Sequence, residues 1–587
     1  MLAAVRLTGF LCAVLLSSTA MAATSLLPSS PSPPPPWAID GVDIGAVVAG
    51  LTVEQKVGQL LLLGFGGTEM DDTIASFLDE MQPGGVALFS RNVADPETTM
   101  RLIRAVRTHD PRTSSSSLSS TNGALPMFVA VDQEGGSVVR LKTDAVILPS
   151  AMALGATDDP VLARRVGQAL GRDLLAWGFN MNLAPVLDVS SNPKNPVIGV
   201  RSFGGDPVRV GEVGVGYITG LTDVGVVAVA KHFPGHGDTD TDSHYALPVL
   251  MHDRARLDAV ELRPFARAFG AGLPAIMTAH IALPKIAEGD DVPATVSGKV
   301  ITGVLRDELG YDGLVITDGL EMQGIIDRFG AGEAAVRAVV AGADMVMVLW
   351  FPEKKKEVRR ALLDAVASGR LSRARLDQAV RRVLEQKARS GMFTRVEPTM
   401  PAALRQLRDN DRRALDEVAQ RAITLVRNTN GAVPVKGRVV VAAAPQGAFL
   451  RGLEKRAKAH TISLPWAPTK RATSVDVDRI VSLATEKQAD VIVIGLQSAD
   501  HSGVVRGVKA RLPKVPVVVV SFGSPWLIAG FPDVEGYVCA YGWRDDSAAA
   551  AAAVVAGDAT ATGVLPVKLT GGTAPKVPAP AEIGTSP

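Results

Sequence analysis

Between about residues 46 and 400, eight short apolar runs alternate with amphipathic stretches of helical period. This predicts an α/β protein that opens with a (β/α)8 barrel of the TIM type. Beyond residue 401 a second set of apolar runs predicts a C-terminal three-layer α/β sandwich. Two further observations support the pair. The chain has 587 residues, more than one ordinary domain holds, and is 47% hydrophobic and 21% charged, which is globular and supplies ample cores. No glycine-rich dinucleotide fingerprint is present, which favours the closed barrel over an open doubly wound sheet.

Residues 1–22 read as a cleavable signal peptide. Arg6 supplies a positive start, Leu7 to Leu16 an apolar stretch, and Ala20-Met21-Ala22 a cleavage site. The expectation is a secreted or periplasmic protein with no membrane span once the signal is removed. Only Cys539 then remains, so no disulfide can form within the chain and the fold rests on its cores. Residues 23–45 form a proline-rich spacer around LLPSSPSPPPPW (26–37). The net charge of +1, with both signs mixed along the chain, argues against a nucleic-acid surface and suits a neutral substrate.

The catalytic domain is placed at 46–400. Its strand candidates are LLLLGF (60–65), GVALFS (85–90), MFVAVD (127–132), NMNLAPVLDV (180–189), VVAVAKHF (226–233), AIMTAH (275–280), GLVITD (313–318) and ADMVMVLW (343–350). Between them, residues 96–109, 160–178 and 253–272 carry helical periodicity. The Ser-rich stretch 111–125 reads as a surface insertion. The second domain, 401–587, has strand candidates at 438–445, 460–466, 489–497, 515–523 and 534–542, and an alanine-rich helix at 546–557.

Polar residues gather where the barrel strands end. Asp132 closes the third run, Asp188 the fourth, Lys231 and His232 the fifth, His280 the sixth and Asp318 the seventh. Such groups are costly beside apolar strands unless partnered, and barrel active sites lie at the C-terminal strand ends. For Asp188 a loop-capping role, and for His280 a hydrogen-bonded core position, stand as alternatives.

The segment KHFPGHGDTDTDSHYALP (231–248) concentrates three histidines and three aspartates. It lacks the helical His pair of a zinc hydrolase, and no Glu closes its alternating aspartates as a calcium loop requires. A phosphate cradle needs more glycines at a helix start. An acid–base pair fits better: Asp242 and His244, two apart, share one side of an extended or turning loop. A carboxylate beside an imidazole fixes its tautomer and raises its pKa.

Together KHFPGHGDTDTDSH, DQEGGSVVRL (132–141), IGVRSFG (198–204) and VITDGLEM (315–322) resemble family 3 glycoside hydrolases, on the β-N-acetylglucosaminidase branch. RAITLVRN (421–428) and TGVLPVKL (562–569) extend the resemblance more weakly into the second domain. The resemblance implies Asp318 as catalytic nucleophile, His244 as general acid/base and Asp242 as its partner. It implies sugar contacts at Asp132, Arg140, Arg201, Lys231 and His232. The implied reaction retains configuration through a glycosyl-enzyme, on GlcNAc-containing glycans, with no metal or organic cofactor. The family's β-glucosidases take a Glu acid/base from the second domain. Here only QSADHSG (497–503) is a polar candidate to reach the barrel. A β-glucosidase or broad β-glycosidase is the rival enzyme; a carbohydrate-binding protein on an inactive barrel is the rival outside enzymes.

Overall fold

The computed structural model describes residues 38–39, 42–109, 125–287, 292–394, 402–467, 469–531 and 533–569. The expected signal peptide, most of the spacer and nearly all of the Ser-rich insertion lie outside the described residues. Eight parallel strands close into a barrel: β1 Leu61–Leu63, β2 Gly85–Leu88, β3 Phe128–Val131, β4 Met181–Asn182, β5 Val227–Phe233, β6 Ala275–Thr278, β7 Leu314–Gly319 and β8 Met345–Val348. Each pairs with its neighbour in sequence, and β8 returns to β1 with Val346 opposite Leu61.

Every strand is buried on both sides, so none alternates with polar residues; period two instead sorts the apolar side chains between two cores. Leu62, Ala87, Phe128, Ala130, Val227, Val229, Leu314 and Ile316 fill the barrel interior. Their alternate neighbours, among them Leu61, Val86, Val129, Ala228 and Val315, join the core shared with the helices outside.

Two expected elements differ. The fourth run yields a strand of two residues, because Pro185 has no N–H for the ladder; pairing resumes as a single bridge, Val186 to Lys231. The helical stretch 253–272 divides into Arg254–Ala259 and Arg263–Gly270, with Pro264 in the first turn of the second helix, where its missing N–H costs nothing.

The second domain is a six-stranded sheet: β9 Thr424–Asn428, β10 Val440–Ala444, β11 His460–Ser463, β12 Val491–Leu496, β13 Val517–Ser521 and β14 Gly536–Cys539. The spatial order is β9-β14-β13-β12-β10-β11, parallel except for β9 against β14. Helices cover both faces, so the expected three-layer sandwich is what the structure shows. β9 adds an edge strand to the five expected. Helix Ala402–Arg421 packs against barrel helix Pro160–Trp177 through Arg172–Asp411 and Arg165–Glu417 ion pairs. Val564 N donates to Ala156 O at 2.8 Å and Gly205 N to Pro566 O at 2.9 Å, so the last described segment also docks on the barrel.

Candidate active site

Interior parity explains which side chains reach the barrel mouth. Continuing the columns Phe128-Ala130, Val227-Val229 and Leu314-Ile316 by two residues gives Asp132, Lys231 and Asp318. Each stands at the C-terminal end of its strand, where barrel chemistry is placed.

Asp132 and Lys231 head a buried charge network. Lys231 Nζ lies 2.8 Å from Asp132 Oδ1 and 2.6 Å from Glu134 Oε1. Arg140 Nη2 approaches Asp132 Oδ2 at 3.3 Å. Arg201 grips Glu134 with two bonds of 2.8 Å, Nε to Oε2 and Nη2 to Oε1. Burial alone would raise the Asp132 carboxyl, but Lys231 and Arg140 outweigh it and hold it below the usual carboxylate range. Burial likewise opposes the Glu134 charge, and Arg201 and Lys231 drive it far lower. Burial would discharge Lys231; Asp132 and Glu134 hold its ammonium above the ordinary value.

Glu134 therefore neutralises two buried cations. Its carboxyl is depressed in the fold, so the stability it lends is full above the unfolded value of 4.5 and is lost as pH falls toward the folded value. Glu134→Gln, which leaves those cations short of an anion, is expected to cost about 3 kcal/mol at pH 7. Denaturant midpoints at pH 7 and pH 4 check this, and the difference between variant and wild type should shrink at the lower pH.

A second network orients the histidines. Asp188, wholly buried, receives His232 Nδ1–H at 2.7 Å, the His232 N–H at 3.2 Å and the His236 N–H at 2.6 Å. The His236 ring bonds Thr239 Oγ1 at 2.7 Å and Ser243 Oγ at 3.0 Å. Burial, reinforced by the neighbouring His232, pushes the His236 ring down to about 4, so it is neutral near pH 7. It thus links the root of the loop to the residue between Asp242 and His244. Asn195 Nδ2 fastens the loop further through the carbonyls of His236 and Gly237.

Asp242 Oδ1 accepts from the His244 backbone N–H at 2.9 Å and from Nδ1 at 2.7 Å. With Nδ1–H committed to a carboxylate, Nε2 is left to give or take a proton. The hydrogen bond that His244 donates to Asp242 raises the His244 pKa above its ordinary value; burial opposes it and the Asp318 charge reinforces it. Asp318 Oδ1 accepts the Gly319 N–H at 2.7 Å. Burial alone would raise its carboxyl, but His280, His232, His244 and that N–H keep it below the usual value.

The acid–base loop and the end of β7 are joined directly. Gly324 N donates to Ser243 O at 3.1 Å and Gln323 N to His244 O at 3.4 Å. A Cβ on Gly324 would sit 2.9 Å from Ser243 O, so the close approach requires glycine. His280 is a core histidine with both ring nitrogens satisfied. Its Nε2 donates to Gly319 O at 2.9 Å, so in the neutral ring that burial favours, Nδ1 accepts from Thr295 Oγ1 at 2.9 Å.

The structure brings Asp132, Arg140, Arg201, Lys231, His232, Asp242, His244 and Asp318 to one mouth, linked by the contacts above. Within it Arg201 is an ion-pair partner of Glu134, and Asp188 acts through His232. Sequence reasoning missed Glu134 and His236. Glu134 stands two residues after Asp132, a same-side spacing that could have flagged it. In the second domain, His501 of QSADHSG is buried with Nε2 on Pro465 O at 3.0 Å, so it serves its own domain. Asp238, His252 and Glu261 offer metal-type ligand atoms together, but Arg256 already pairs with Glu261 at 2.8 Å and approaches Asp238 at 3.8 Å.

Residues 52–386 match the glycosyl hydrolase family 3 N-terminal domain. The chain is 31% identical over 494 residues to "Beta-hexosaminidase A" of Pseudoalteromonas piscicida, covering 77% of this chain and 80% of that one. It is 28% identical over 545 residues to "Beta-N-acetylglucosaminidase/beta-glucosidase" of Cellulomonas fimi, covering 86% and 92%. Among solved structures, a glycoside hydrolase family 3 β-N-acetylglucosaminidase from Paenibacillus sp. str. FPU-7 superposes with a TM-score of 0.81 at 36% identity, over 89% of this chain and 99% of that one.

Proposed function

The chain belongs to glycosyl hydrolase family 3, and from that premise we propose that it is an exo-acting, retaining β-N-acetylglucosaminidase. It would release terminal non-reducing GlcNAc from peptidoglycan fragments or chito-oligosaccharides. The glycoside hydrolase activity of β-hexosaminidase type is common to its relatives. The observation that carries the mechanism is the Asp242–His244 pair, whose imidazole lies within electrostatic influence of Asp318.

In the first step an Asp318 oxygen bonds to the anomeric carbon while the glycosidic C–O bond breaks. The His244 Nε2 proton goes to the departing oxygen. In the second step neutral His244 takes a proton from water, whose oxygen displaces Asp318 and restores the β configuration. A neutral imidazole avoids placing another anion beside the reacting carbon. Asp132, Arg140 and Lys231 supply fixed acceptors and donors for the hydroxyls of the terminal sugar.

His244 must be protonated for the first step, and its hydrogen bond to Asp242 is the largest cause of its raised pKa. Asp242→Asn should therefore move the alkaline limb of the kcat/KM–pH profile to lower pH. An unmoved limb would assign it to another group.

A second reading, β-glucosidase or broad β-glycosidase action, is favoured by the double activity in the name of the Cellulomonas fimi relative. Comparing kcat/KM for chromogenic β-GlcNAc and β-glucoside substrates decides between them. Strong preference for GlcNAc supports the first reading, and preference for glucoside overturns it. Export, suggested by residues 1–22, would place the enzyme where wall fragments and chitin are met. Among the described residues no helix is long and apolar enough to cross a membrane.

A further inference from the structure

Tyr245 directly follows the proposed acid/base and is 68% exposed. Along the same segment Val249 and Met251 are 49% and 59% exposed, while Leu250 between them is buried. Ala282 N donates to Pro248 O and Leu250 N donates to Ala282 O, both at 2.9 Å, so this piece runs alongside the loop after β6. Alternate side chains therefore face opposite ways. The outward positions carry Val and Met, where contact with water alone would call for polar residues. Exposed apolar residues grouped along one segment next to a catalytic group are the usual mark of a ligand contact. Tyr245 N also donates to Asp242 O at 3.0 Å, so the phenol ring rides on the same turn as the Asp242–His244 pair.

We propose that Tyr245, backed by Val249 and Met251, is the binding surface for the leaving-group part of the substrate: a second pyranose ring stacked by its C–H face on the phenol. The inference rests on the catalytic reading above. An acid that protonates the glycosidic oxygen must lie within hydrogen-bond reach of it. Whatever hangs from that oxygen then lies against the residues flanking His244. The Asp132–Lys231–Arg140 network, assigned above to the hydroxyls of the other sugar, is built of charged groups. A tyrosine gives a large rigid contact with little side-chain entropy to lose.

The test compares Tyr245→Ala and Tyr245→Phe on N,N′-diacetylchitobiose, whose leaving group is a sugar, and on the β-azide of GlcNAc, whose small leaving group needs neither stacking nor a proton. The Ala variant is expected to lose about tenfold in kcat/KM on chitobiose, mainly through KM. The Phe variant should stay near wild type, and the azide should change little in either. Unchanged chitobiose cleavage in the Ala variant overturns the proposal. So does an equal loss on both substrates, which would mean a disturbed loop, or a Phe variant as damaged as the Ala variant. Wild-type protein that cleaves neither substrate would instead sink the underlying catalytic reading.

Discussion

His244→Ala is expected to lower kcat/KM by about 10²–10⁴-fold on GlcNAc glycosides with poor leaving groups, and far less on dinitrophenyl glycosides. The reason lies in the first step. A sugar alkoxide cannot depart without a proton, whereas dinitrophenolate can, so only the former needs Nε2. The second step then becomes slow for both substrates, because no base remains to activate water. A small anion such as azide needs no deprotonation and should restore turnover with β-glycosyl azide as product. Equal loss on both substrate classes, with no rescue, would deny His244 the acid/base role. At 51% side-chain exposure His244 contributes little to the core, so loss of folding should not confuse the result.

Asp318→Asn is expected to have the larger effect, with kcat falling by about 10⁴-fold or more on every substrate, activated or not. An amide of nearly the same shape keeps the packing but is a poor nucleophile and carries no charge to stabilise the cationic transition state. In the wild type this carboxyl sits below its ordinary value despite burial, so it is ionised throughout the neutral range. The acidic limb of the pH profile should accordingly lie at low pH. Residual activity that still favours activated substrates would point to another nucleophile.

Much of this was legible beforehand for a simple physical reason. Strands buried on both sides read as continuous apolar runs, and a polar residue ending such a run must either be partnered in the core, as His280 is, or stand at a mouth. Asp132, Lys231 and Asp318 were found that way, and the same period of two accounts for their shared direction. Asp242 and His244 were legible because their interaction is local. Glu134 was signalled only by its two-residue spacing from Asp132, and its pairing with Arg201 by nothing local, since the pair joins loops after different strands. His236 was passed over within a segment crowded with titratable groups, because its partners, Ser243 and Thr239, are ordinary loop residues. In the second domain Thr424–Asn428 escaped notice as a strand: it lies on an edge, half buried, and lacks the long apolar run of its parallel neighbours.

The most direct single measurement is the mass of the wild-type protein after incubation with a slow fluorinated GlcNAc donor, followed by mapping of the labelled peptide. The account predicts one added glycosyl group, carried by the peptide containing Asp318 and absent from Asp318→Asn. A donor consumed with no adduct, or an adduct on any other residue, would contradict it.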